Sequence, residues 1–178
     1  MTFEEFHEIL KKELIEEDSL QSLLVKALTE KGLHVASAES CTGGLISARI
    51  TEVPGSSIVF DCGVCSYANR IKEQLLHVSG ETLKTCGAVS AQTAQQMAQG
   101  VRMLAKADIG ISTTGIAGPT GGTKDKPVGL VYIGCSTAQD TQAVKAQLDG
   151  GGKNGREQIR KAASSIALYL AFKAAQAH

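Results

Sequence analysis

Apolar residues recur along the chain with helical and strand periods in turn, and the switches between them outline the elements. Phe3, Phe6, Leu10 and Leu14 form one stripe. That spacing predicts an amphipathic helix, and Thr2 with Glu5 has the spacing of a capping box. "EED" breaks the pattern. Ser19 stands where it can cap a second helix with Leu20, Leu23, Leu24, Ala27 and Leu28 inward, and Gly32 stands where it would stop it. "LHVASA" reads as a buried strand, and "TGGLISARI" as a short helix closed by Pro54-Gly55. "GVCSY" is a second strand, followed by a short helix over "IKEQLLHV". Ser90 can cap a long helix from Ala91 to Lys106. "DIGISTTG" is a third strand, running into the Gly-rich loop "IAGPTGGTKDKP". "VGLVYIGCS" is a fourth, and the weakly alternating "TQAVKAQL" an edge strand in a hairpin with it. Asn154 and Glu157 offer a cap for a last helix whose inward positions are Ile159, Ala162, Ala163, Ile166 and Leu170.

Strands interleaved with helices predict an α/β domain whose sheet is covered on both faces. Ligands in such sheets gather at the carboxyl ends of strands. Three strand ends carry glycines or hydroxyls: "ESCTGG", "SYANRIK" and "TTGIAGPTGG". Parallel strands would bring all three to one crevice. A length of 178 residues fits one domain, with residues 1–18 as a helical extension and 19–178 as the domain proper. Eighteen Lys plus Arg against eighteen Asp plus Glu give no electrostatic signature of a nucleic-acid or anionic-membrane partner. No apolar run approaches a bilayer span, and the charged N-terminus is no signal peptide. Five scattered cysteines argue for reduced thiols and a cytoplasmic setting.

Ser40 sits between a strand end and a helix start, where the N–H groups of Thr42, Gly43 and Gly44 could receive an oxyanion or phosphate. The competing assignment makes Ser40 or Thr42 a plain N-cap. Cys41 is a rival nucleophile, set against its role as a small buried apolar residue. Tyr67, Asn69 and Lys72 follow the second strand, and a sheltered lysine can lose its proton and act as a base. Cys62 and Cys65 form a C-x-x-C, but on a strand they point to opposite faces, and no second pair completes a zinc site. The Gly-rich loop lacks the P-loop pattern but can form an anion-binding nest.

"AESCTGGLISARIT", "VPGSS", "GVCSYANRIK", "GAVS", "TTGIAGPTGGTKDKPVGLVY" and "NGREQIR" occur in that order. Together they resemble the C-terminal domain of the competence/damage-inducible (CinA-like) family, from about Leu20 to the end. The family includes stand-alone nicotinamide-nucleotide amidases, and its larger members carry a separate nucleotide-pyrophosphatase domain for which this chain has no room. The resemblance implies a three-layer α/β/α sandwich with a mixed, mostly parallel five-stranded sheet. It implies deamidation of nicotinamide mononucleotide to nicotinate mononucleotide and ammonia, with Ser40 as nucleophile, Lys72 as base and Tyr67 as their hydrogen-bonding partner. Thr42, Gly43, Gly44, Asn69, Thr114, Gly115 and Arg156 are then substrate-binding, and Lys126 is a further candidate for the phosphate. The scheme uses no metal and no cofactor. The family tends to dimerise, so a homodimer or higher homo-oligomer is expected, and the exposed first helix could serve it. The family's usual Tyr-Ser-Asn-Glu-Ala-Lys is here "YANRIK", with Ala68 and Arg70, and its short Gly-Asp-Arg is the longer "GGGKNGR". These departures leave two alternatives: a non-catalytic nucleotide-binding module serving regulation or assembly, and an amidase for a different amide.

Overall fold

The structure, a computed structural model, describes residues 1–149 and 155–178. The strands are β1 (Val35–Glu39), β2 (Phe60–Cys65), β3 (Ile109–Gly115), β4 (Leu130–Ser136) and β5 (Thr141–Gln147). The α-helices are α1 (Phe3–Lys12), α2 (Leu20–Lys31), α3 (Leu45–Thr51), α4 (Asn69–Leu76), α5 (Gly80–Thr85), α6 (Ala91–Ala105) and α7 (Gly155–Ala177). The sheet order is β2-β1-β3-β4-β5. β1 pairs in parallel with β2 and β3, and β4 runs antiparallel to both β3 and β5. Four strands therefore point one way, which makes the sheet mixed and mostly parallel. The carboxyl ends of β1, β2 and β3 share one edge.

Side-chain size explains the layers. One face of the sheet carries Val35, Ile109, Ile111, Val131 and Ile133, packed with the inward residues of α2, α3 and α7. The other carries Ala36, Ala38, Gly110, Ser112 and Gly134, and α6 lies close upon it. A Cβ on Gly110 would stand 2.1 Å from the Ala98 carbonyl oxygen, and one on Gly134 2.4 Å from that of Ala94. The Ser112 hydroxyl donates to the same Ala94 oxygen at 2.6 Å.

The sequence expectations for the N-terminal half are partly met. The capping box is present: Thr2 Oγ1 accepts from the Glu5 N–H, and Glu5 Oε2 accepts from the Thr2 N–H. α1 ends at Lys12, so Leu14 leaves the predicted stripe and is 93% exposed, in a left-handed conformation. Ser19 does not cap α2; its hydroxyl donates to the Glu16 carbonyl. Gly32 does end α2, at φ +64°. The extension over residues 1–18 is no loose appendage, and the apolar face of α1 is not exposed. Phe6 and Leu10 are buried in the α7-side core, with Tyr169 edge-on to Phe6 at 5.8 Å. The Met1 ammonium donates to the Lys145 carbonyl, and the Met1 carbonyl accepts from the Gln147 N–H, so the N-terminus lines the outer edge of β5. Ser90 caps α6 through the Thr93 N–H as expected. Asn154, the expected cap of α7, lies outside the described residues.

Candidate active site

Glu39 governs the first turn of the site. It ends β1 fully buried. Its carboxylate accepts from the N–H groups of Gly44, Ile46 and Ser47 and from the Ser47 hydroxyl, at 2.7–3.1 Å. The start of α3 is thus capped by the strand that precedes it. This corrects two expectations. Neither Ser40 nor Thr42 caps α3, because Gly44 occupies the N-cap position without a side-chain bond. The Gly44 N–H is also closed to an oxyanion, because it already donates to Glu39.

Ser40 extends β1 by one residue, its N–H donating to the Thr113 carbonyl. Ser66 similarly extends β2, its N–H donating to the Glu39 carbonyl. α4 then turns back over these ends and delivers Lys72, whose side chain is only 1% exposed. Lys72 Nζ lies 3.2 Å from Ser40 Oγ, 2.6 Å from the Ser66 carbonyl oxygen and 3.3 Å from that of Tyr67. Desolvation by burial pulls the ammonium below the ordinary lysine range, partly opposed by the nearby Cys41 group. Cys41 itself is buried, and desolvation pushes its thiol up to about 11. At neutral pH it stays protonated, which fits a small core residue better than a nucleophile.

Ser40, Tyr67, Lys72, Thr114, Gly115 and Arg156 converge on one cleft of about 260 Å³. Cys41, Ala88, Val89, Ile116–Gly118, Thr120 and Gly121 complete its walls. Tyr67 takes part through its main chain: its ring is 70% exposed and makes no hydrogen bond to Ser40 or Lys72. The expectation that its hydroxyl orients the pair is corrected accordingly. Thr42, Gly43 and Asn69 do not line the cleft. Thr42 is buried, its hydroxyl sharing a 2.7 Å bond with that of Thr113 and its carbonyl held by the Arg160 guanidinium. Asn69 is the exposed first residue of α4. Arg156 donates to the Gly118 carbonyl at 2.7 Å and lies between this cleft and a larger one of about 780 Å³ bordered by α2, α3 and α7. Lys126 is not placed to receive a phosphate in the cleft. Its Nζ donates to the carbonyls of Cys86 and Val89, each at 2.8 Å.

Sequence reasoning missed Glu39, Arg160 and the Cys86–Val89 segment. Each acts across long sequence separations or through its backbone, and no local spacing marks that. Among the described residues no group of three or more His, Cys, Asp or Glu side chains could hold a metal ion, and no helix is long and apolar enough to cross a membrane.

The CinA C-terminal domain model matches residues 17–174. The chain belongs to the CinA C-terminal domain family. It is 49% identical over 146 residues to a competence-damage inducible protein of Caldanaerobacter subterraneus, covering 82% of this chain and 34% of that one. It is 48% identical over 152 residues to a CinA-like protein of Kosmotoga olearia, covering 85% and 36%. The chain thus spans about a third of the length of these curated relatives. Among solved structures, the competence/damage inducible protein of Agrobacterium tumefaciens superposes with a TM-score of 0.83 at 41% identity, covering 90% of this chain and 95% of that one. A CinA superfamily protein from Klebsiella pneumoniae gives 0.84 at 28% identity, covering 92% and 99%.

Proposed function

We propose that this CinA-family domain is an amidohydrolase that converts nicotinamide mononucleotide to nicotinate mononucleotide and ammonia, using Ser40 as nucleophile and Lys72 as base. The observation that carries this reading is the set of three oxygens around Lys72 Nζ. A neutral amine has two N–H donors and one lone pair. The Ser66 and Tyr67 carbonyls can each accept one N–H, which leaves the lone pair for the Ser40 hydroxyl. Burial favours the neutral state by disfavouring the ammonium.

The chemistry follows from that arrangement. Lys72 takes the Ser40 proton as Oγ bonds to the carboxamide carbon. The tetrahedral intermediate then collapses, the C–N bond breaks, and Lys72 returns the proton to the departing nitrogen, which leaves as ammonia. Water attacks the acyl-Ser40 ester by the same route, giving the carboxylate and free Ser40. Small-molecule sites usually begin near 300 Å³. A cleft of about 260 Å³ therefore suits the carboxamide ring, with the phosphate toward the rim, where Arg156 offers further N–H donors. The choice of nicotinamide mononucleotide rests on the family resemblance; the Ser–Lys geometry supports the reaction class.

Incubation of the purified protein with nicotinamide mononucleotide, with ammonia measured by a coupled assay, tests the reading. Release that disappears in Ser40→Ala is expected. Calorimetric binding of the mononucleotide without ammonia release would instead identify a nucleotide-binding module, and no binding would point to another amide.

A further inference from the structure

Hydrolysis through Ser40 requires donors for the oxyanion, and the first turn of α3 cannot supply its Gly44, Ile46 and Ser47 N–H groups. The opposite wall of the cleft has the reverse arrangement. Four consecutive carbonyls there are each held by a side chain. Cys86 O and Val89 O accept from Lys126 Nζ, Gly87 O from the Ser90 and Thr93 hydroxyls, and Ala88 O from Thr114 Oγ1 at 2.7 Å. In a trans peptide the C=O and the following N–H point in opposite directions. The carbonyl of Gly87 is turned to Ser90 and Thr93 at the start of α6 and that of Ala88 to Thr114, so the N–H groups of Ala88 and Val89 point away from those side chains. Both residues line the cleft that holds Ser40 and Lys72. Neither N–H donates a hydrogen bond among the described residues.

We propose that the main-chain N–H groups of Ala88 and Val89 form the oxyanion site of this enzyme, with Thr114 and Lys126 as positioning residues that hold the segment in place. The proposal rests on the Ser40 reading above. Successive N–H groups of this kind form anion-binding concavities, and donors fixed in advance stabilise the developing charge without reorganisation. Thr114 sits at the end of β3, one residue beyond the Thr113 that receives the Ser40 N–H. A single strand thereby sets both the nucleophile and the wall it faces. Lys126 approaches from the Gly-rich loop, tightened by the Thr123–Lys126 turn. Gly87 is left-handed at φ +81°, and a Cβ there would come within 3.1 Å of Lys126 Nζ.

Two measurements test this. First, kcat and KM for ammonia release from nicotinamide mononucleotide are compared in the unmutated protein, Thr114→Val, Thr114→Ser and Lys126→Met, with thermal unfolding as the check on folding. A well-placed oxyanion donor contributes about 10²–10³ in kcat, so loosening the wall should lower kcat roughly tenfold or more. KM should stay within about twofold, because the donors act on the transition state, and Thr114→Ser should recover most of the loss. Unchanged kcat in a folded Thr114→Val or Lys126→Met, or a rise in KM alone, overturns the proposal. Second, pyridine-3-boronic acid is added to the unmutated, isotope-labelled protein, since boron can bond Ser40 Oγ and present a tetrahedral oxyanion. Downfield shifts of the Ala88 and Val89 amide protons are expected. An adduct that shifts the Thr42 and Gly43 amides instead also overturns it. Absence of both ammonia release and adduct in the unmutated protein would mean that the Ser40 reading itself fails.

Discussion

Two stretches of main chain border Ser40, and they treat their peptide groups in opposite ways. At the start of α3 the N–H groups of Gly44, Ile46 and Ser47 converge on the buried Glu39 carboxylate, so these donors are taken by the protein itself. In the Cys86–Val89 segment the carbonyls are the groups that are held, by Lys126, Ser90, Thr93 and Thr114. The first arrangement is structural and fixes where Ser40 stands. The second leaves donors facing the cleft. Glycine content alone is therefore a poor guide: in the turn richer in glycine the N–H groups of Gly44, Ile46 and Ser47 are already taken by Glu39, whereas in our proposal the plainer sequence "CGAV" carries the donors. Partners, rather than composition, decide whether a turn can bind an anion.

Substitutions on the two sides should separate these roles. Ser40→Ala removes the atom both turns serve, and it should lower turnover by at least about a thousandfold with little change in thermal stability; ammonia release and a melting curve on the same sample check both. Lys72→Arg keeps a cation but offers no base at neutral pH. It should cost about a hundredfold or more while calorimetry still detects mononucleotide binding. Glu39→Gln breaks only the first turn, because an amide nitrogen would then meet N–H donors. Leaving a buried donor unsatisfied costs about 1–3 kcal/mol, or roughly 2–4 °C in Tm per kcal/mol for a chain of this size. Its melting temperature should therefore fall further than that of Thr114→Val, whereas Thr114→Val should lose more kcat. Cys41→Ala should have the smallest effect on turnover, since its thiol is protonated at neutral pH; loss of activity there with retention in Ser40→Ala would reverse the two roles.

Much of this molecule was legible in its sequence. Two periods of apolar residues locate the strands, and three hydroxyl- or glycine-bearing strand ends forecast one crevice, where Ser40, Lys72, Thr114 and Arg156 meet. The hairpin of β4 and β5 and the Ser90 cap follow from local pattern as well. What was not legible depends on contacts far apart in sequence. Glu39 reads only as the first residue of the "ESCTGG" strand end until α3 folds over it. Lys126 reads as a candidate for the substrate phosphate until it reaches back to Cys86. The Tyr67 ring reads as part of the dyad, yet it is the Tyr67 carbonyl that receives the Lys72 N–H. Helix α1 reads as an appendage because its partners, Tyr169 and the edge of β5, lie at the other end of the chain.

Burial of Lys72 also links its proposed role as a base to stability. Its folded-state pKa is lowered by desolvation, whereas in the unfolded chain a lysine titrates near about 10.4. Below the folded value both states carry the proton and the cost of burying the ammonium is constant. Between the folded and unfolded values only the unfolded chain holds the proton, so stability gains with rising pH. The difference in Tm between the unmutated protein and Lys72→Met should therefore move in favour of the unmutated protein as pH rises through that window. A pH-independent difference would mean that Lys72 does not titrate differently in the fold.

The most direct test of the central claim, that burial makes Lys72 a neutral base for Ser40, is the pH dependence of kcat/KM for ammonia release by the unmutated protein. The predicted profile rises tenfold per pH unit at low pH, as the neutral fraction of one group grows, and levels off below the ordinary lysine value of about 10.4. A profile that is flat from acid to neutral pH, or that falls as pH rises, would contradict it.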